Sequence, residues 1–138
     1  MTTSERGART MDLTRGGTLA WRAAAALGVL VSAGVHLWLW FRGYDSISVI
    51  GPLFLLNAVG GLVIAVAVLV WRHWLPLLGA IGFGASTLIA FTLAATVGLF
   101  SVHETWTGTD QVLGWLSELL ALVAGTVALW RERSARQP

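Results

Sequence analysis

The sequence predicts an all-α protein, a four-helix transmembrane bundle in which each helix crosses a lipid bilayer. Three observations predict this. Of 138 residues, 56% are hydrophobic and 12% charged, an apolar share above the roughly 45–50% of soluble domains. The apolar residues fall into four runs, each close to the roughly 20 residues that span the hydrocarbon. The arginines and tryptophans collect at the ends of those runs, where a membrane meets water.

Residues 1–17 are polar, rich in Gly, Thr and Arg and without apolar periodicity, and they read as a disordered cytoplasmic tail. The first helix is expected at about 19–41. Its basic start and its small residues near 31–33 look like a cleaved leader, but the apolar run continues through 37–41 with Trp38 and Trp40, so it reads as a span. The second helix is expected at about 47–71, with Pro52 as an alternative start, and the third at 74–100, with Pro76 tolerated in its opening turn. Only Arg72 and His73 separate these two runs, which predicts a tight antiparallel hairpin. The fourth helix is expected at about 112–130. The transmembrane domain then covers 18–131, and 132–138 form a second cytoplasmic tail. Two longer connections carry Tyr44 and Asp45, and His103, Glu104, Trp106 and Gly108.

Orientation follows from the arginines, because cytoplasmic flanks carry the excess of positive charge. Arg6, Arg9, Arg15 and Arg22 lie at the start of the first run, Arg72 in the middle hairpin, and Arg131, Arg133 and Arg136 after the fourth; Arg42 alone lies at the other end. Both termini are therefore expected inside. Tryptophans agree: Trp21, Trp71, Trp74 and Trp130 mark one interface, and Trp38, Trp40 and Trp106 the other. All nine basic residues are arginine, a usage bias of G+C-rich bacterial genomes that points to a bacterial plasma membrane.

Composition also narrows the chemistry. With four spans in 138 residues, no length remains for a soluble catalytic domain. The chain has no cysteine, which excludes disulfides and thiolate metal sites. Its arginines flank apolar runs and form no stripe of the kind that binds nucleic acid. No nucleophile–base pair, phosphate-binding glycine loop or paired carboxylates at one depth are present, so the chain reads as a nonenzyme.

Polar and ionisable groups within spans mark a buried partner or a function. Here they gather in the half away from the termini: His36 in the first helix, Asn57 in the second and Glu118 in the fourth, with His103 and Glu104 expected to end the third. Residues three or four apart share a helix face. Ala24, Gly28 and Ser32 lead to His36; Asn57 continues through Gly61 and Ala65; Gln111, Gly114, Glu118, Ala121, Gly125 and Ala128 form one stripe. Small-residue faces are where membrane helices approach closely. These stripes should therefore carry His36, Asn57 and Glu118 toward one another, in an outward-facing polar chamber under a lid of His103, Glu104, Tyr44 and Asp45. Glu118 would be either ionised beside protonated His36 or Arg42, or neutral in an apolar pocket.

Four roles fit this set. In the first, the polar residues bond helices together, each contributing about 1 kcal/mol. His36, His103 and Glu118 would supply nitrogen and oxygen ligands to a transition metal or haem. Glu118 would be the coupling carboxylate of a small proton-coupled transporter. Finally, the glycines at 60, 61, 79, 82 and 84 would dock other helices, making the chain a binding or accessory subunit of a larger membrane complex, or a self-associating one.

Val35-His36-Leu37, Tyr44, the run from Ile50 to Leu56, Gly98-Leu99-Phe100 with His103-Glu104, and Glu118 together resemble small uncharacterised four-span membrane proteins of actinobacterial type. A weaker similarity runs to DoxX-like proteins. That resemblance implies the same topology and a link to membrane redox and oxidative-stress systems, which favours a haem, metal or quinone role. It assigns no catalytic residue.

Overall fold

The computed structural model describes the backbone of residues 3–136 and side chains from residue 16 to residue 136. Four α-helices follow one another: α1 (Thr3–Phe41), α2 (Ile50–Val70), α3 (Trp74–Thr96) and α4 (Thr109–Ser134), with a single 3-10 turn at Tyr44–Ser46 between α1 and α2. Each contains a stretch long and apolar enough to cross a membrane, so the protein is a membrane-embedded four-helix bundle. The start of α1, the end of α4 and the α2–α3 turn lie at one end, here called proximal; the other two connections lie at the distal end.

Several boundaries differ from expectation. The segment expected as a disordered tail continues α1 upstream to Thr3; it has no proline, and Glu5, Ala8, Arg9, Met11 and Leu13 favour helix. Met1, Thr2, Gln137 and Pro138 lie outside the described residues. Helix α3 stops at Thr96, short of the expected residue 100. The amides of Val97 and Gly98 both donate to the Leu93 carbonyl, and Gly98 turns left-handed at φ 85°, a glycine stop that releases the chain from the helix. Leu99 and Val102 then pair across a tight turn whose centre, Phe100 and Ser101, also has positive φ. His103 and Glu104 therefore sit in a connection and do not end α3. Helix α4 begins at Thr109, nearly a turn earlier than expected.

Close approach of backbones organises the bundle. A Cβ on Gly28 would lie 2.6 Å from the Ala121 nitrogen and 2.7 Å from the Ser117 carbonyl oxygen, so α1 touches α4 main chain to main chain. On the adjoining face of α4, a Cβ on Gly84 would lie 2.6 Å from the Glu118 carbonyl oxygen. Such small-residue contacts are what hold helices together where lipid tails remove the hydrophobic drive. The apolar core fills the proximal half, where Val29, Val68, Leu77, Ala80, Ala121 and Ala128 are fully buried. Helix α2 leans on α1. It meets α3 from the turn that joins them to about the middle of both helices, where a Cβ on Gly79 would stand 3.6 Å from Ile64 and one on Gly61 3.0 Å from Phe83.

A buried cation locks the proximal end. Arg22, read from sequence as a topology charge, points into the bundle and is 4% exposed. Its guanidinium donates to the carbonyls of Val68 (3.0 Å), Trp71 (2.7 Å) and His73 (3.3 Å) and pairs with Glu132 at 2.6 Å. Carbonyls at a helix C-terminus lack partners within the helix, and the negative end of the dipole favours a cation there. One side chain thus ties α1 to the end of α2, the turn and α4. Replacing Arg22 with Ala should lower unfolding free energy in detergent by about 3 kcal/mol, the usual result of stripping one partner from a buried pair. A change within experimental error would mean that the network is dispensable.

Candidate functional site

At the distal end the helices enclose a cavity of about 490 Å³, within the roughly 300–1,000 Å³ usual for small-ligand sites. Its walls are mainly apolar, including Val35, Leu39, Leu53, Phe54, Phe83 and Phe91. The polar groups that interrupt them are His36, Asn57, Glu104 and Glu118, with Tyr44, Ser86, Thr87, Asp110 and Gln111. Four of the five residues expected to form the chamber therefore line one space.

Glycine contacts set the position of Glu118. Because Gly28 and Gly84 let α1 and α3 press against α4 around Ser117–Leu122, the carboxyl group at 118 faces the bundle interior and is 3% exposed. Ser32, fully buried one turn before His36, links the two ionisable residues. Its hydroxyl donates to Glu118 Oε1 at 3.2 Å, and its carbonyl accepts from His36 Nδ1 at 2.8 Å. With the proton on Nδ1, a neutral His36 ring keeps Nε2 as an acceptor. Phe54 packs edge-on against the imidazole, ring centroids 4.8 Å apart, and stacks on Tyr44 at 4.9 Å. Two buried atoms on this wall, Asn57 Oδ1 and Glu118 Oε2, have no hydrogen-bond partner within the protein. Unpaired polar atoms in such surroundings cost about 1–3 kcal/mol each.

The distal connections close over the cavity. The Tyr44 hydroxyl donates to Glu104 Oε1 at 2.5 Å, and Gln111 Nε2 donates to Glu104 Oε2 at 3.2 Å. Trp106 packs edge-on against Phe91 of α3, centroids 5.1 Å apart. This latch joins the α1–α2 connection to the α3–α4 connection and to the first turns of α4.

Other expected members do not assemble. His103 is exposed in the α3–α4 connection and lines no part of the cavity; its expected place depended on α3 continuing past Gly98. Asp45 is exposed and also stays outside. The proposed ligand set His36, His103 and Glu118 is consequently not gathered, and among the described residues no group of three or more His, Cys, Asp or Glu side chains is placed to hold a metal. Arg42 lies over the Trp38 ring at 5.2 Å and makes no salt bridge with Glu118. Phe54 and Trp115 were missed as lining residues. Phe54 stands one helical turn before Asn57, so the same spacing argument that selected Asn57 selects it.

Fold and site together define a four-span membrane protein with a one-ended, largely apolar cavity that carries a buried carboxyl and amide. No family model, curated protein or solved structure matches the chain.

Tyr44 is the chain's single tyrosine, which makes the latch directly readable. Burial, the bond to Glu104 and the nearby charges of Glu104 and Asp110 raise its pKa above the ordinary value of 10. A group whose folded pKa is raised adds stability that is complete below its unfolded pKa and is lost as pH climbs toward the folded one. Tyrosinate absorbance of the folded protein should therefore appear only well above pH 10 and be accompanied by loss of stability there. Glu104→Gln should move ionisation back toward pH 10; an unshifted wild-type titration would mean that the latch is open in solution.

Proposed function

We propose that the protein is a nonenzymatic, membrane-embedded binding protein whose distal cavity holds one small, mostly apolar molecule with a polar group. One observation carries this reading: two buried polar atoms, Asn57 Oδ1 and Glu118 Oε2, lie without protein partners on the wall of a cavity of ligand size. A molecule that hydrogen-bonds to both removes their desolvation cost, while the apolar walls take the rest of it. The aromatic face of Phe54, fixed between His36 and Tyr44, adds a rigid surface to a pocket walled by aliphatic and aromatic side chains.

Binding accounts for the architecture better than conduction does. A transporter needs a path to the proximal side, and there the bundle is filled by Val29, Val68 and Leu77, each fully buried, and tied by Arg22. Among the described residues no group of three or more His, Cys, Asp or Glu side chains is gathered to hold a metal. The positive-inside rule places the arginine-rich proximal end in the cytoplasm, so the cavity belongs to the outward half of the membrane. This supports holding or presenting a molecule from the outer leaflet side, alone or as a component of a larger assembly.

The test is to purify the protein in detergent, extract it with organic solvent and quantify small molecules per chain by mass spectrometry. Wild type should release one species at near-stoichiometric yield, and the double variant Asn57→Leu, Glu118→Leu should release about a tenth or less of it while staying folded. Equal yields from both proteins, or none from wild type, would overturn the reading and leave the cavity a packing feature.

A further inference from the structure

The cavity's route to the outside is readable from how α2 and α3 part. Their proximal ends are held by the short turn at Trp71–His73 and by contacts between Ile64 and Gly79 and between Gly61 and Phe83. Beyond Phe83 the two helices line the cavity from opposite sides, α2 with Leu53, Leu56 and Gly60, α3 with Ser86 and Ala90. Leu56 is 66% exposed, and Leu53 and Ser86 are exposed too, so these residues face the cavity and the bilayer at once. A Cβ on Gly60 would meet nothing within 4 Å. Elsewhere the helices are drawn together: Gly28 brings α1 against α4, Gly84 brings α3 against α4, and the Tyr44–Glu104–Gln111 latch spans the distal end. The open side faces lipid.

The polar wall specifies what passes. Asn57 Oδ1 is an acceptor only, and it lies unpartnered and buried, as does Glu118 Oε2. Glu118 Oε1 already accepts from Ser32. A head group that brings an O–H or N–H donor satisfies Asn57, whereas an ether or hydrocarbon leaves it unpaired. Ser86 gives its hydroxyl to the Phe83 carbonyl at 3.1 Å, so the gap itself presents no unpaired side-chain donor to a passing chain.

Resting on the binding role proposed above, we infer that the gap between Leu56–Gly60 and Ser86–Ala90 is a lateral doorway through which a membrane-dissolved, single-chain amphiphile with a hydrogen-bond-donating head reaches Asn57 and Glu118. Its head sits on those two residues and its tail lies along Leu53, Leu56 and the phenyl rings of Phe83 and Phe91, toward the bilayer.

Two measurements test this. Native mass spectrometry from micelles should count one decanol per chain and show occupancy about tenfold higher than for the isomeric nonyl methyl ether, which has no donor. Gly60→Phe, filling space that no other side chain occupies, should abolish the decanol adduct without lowering the thermal midpoint. Equal binding of alcohol and ether would overturn donor recognition, and an undiminished adduct in Gly60→Phe would overturn the doorway. For the route, the cysteine-free chain accepts a single nitroxide at Ala90→Cys. In phosphatidylcholine vesicles this label should be relaxed by dissolved oxygen and not by a water-soluble nickel chelate; relaxation by nickel would place the opening in water and overturn lateral access. If neither alcohol nor ether binds while wild type still releases its own co-purified molecule, the amphiphile class is wrong and the binding site stands.

Discussion

The architecture depends on the closeness with which α4 lies against α1 and α3. Gly28 and Gly84 remove two side chains at the contact, and the backbones meet at the same stretch of α4, Ser117–Leu122. In hydrocarbon, where packing replaces hydrophobic drive, this pair of contacts makes α4 the axis of the bundle. It also fixes Glu118 at the centre, since the residue that carries the contacted carbonyl must turn its side chain inward. Helix α2, bound mainly to α1, is then left standing off from α3 wherever the hairpin turn no longer holds them together. The cavity is the space that remains.

The two halves of the bundle use opposite devices. The proximal half buries alanines and aliphatic side chains and satisfies its one internal cation with three carbonyls and a carboxylate. The distal half leaves a carboxyl oxygen and an amide oxygen without partners beside an apolar space. The proximal half has one such atom too, Glu132 Oε2, but there the other carboxylate oxygen is held by Arg22; polar groups in a membrane often line a cavity or a path, and only the distal pair borders one of ligand size.

Much of this was legible in the sequence. Four apolar runs gave the spans, and 3.6-residue spacing placed His36, Asn57 and Glu118 on small-residue faces that do converge on one space, with Glu104 and Tyr44 above them. What escaped notice depends on three-dimensional relations that spacing does not encode. Arg22 looks like any other flanking arginine until the end of α2 is seen to present carbonyls to it. His103 was assigned to α3 because an apolar run continues past Thr96, whereas the left-handed turn at Gly98 ends the helix. For the same reason the set His36, His103 and Glu118 is not gathered among the described residues. The parting of α2 from α3 was not visible at all, because it follows from contacts that both helices make with other partners.

An experimental density map of the protein in lipid nanodiscs tests the central claim most directly. The account requires α2 and α3 to be separated beyond Phe83, with density for a small molecule within hydrogen-bond reach of Asn57 and Glu118. Helices α2 and α3 packed together along their whole length, with Asn57 and Glu118 bonded to protein groups and no space between them, would contradict it.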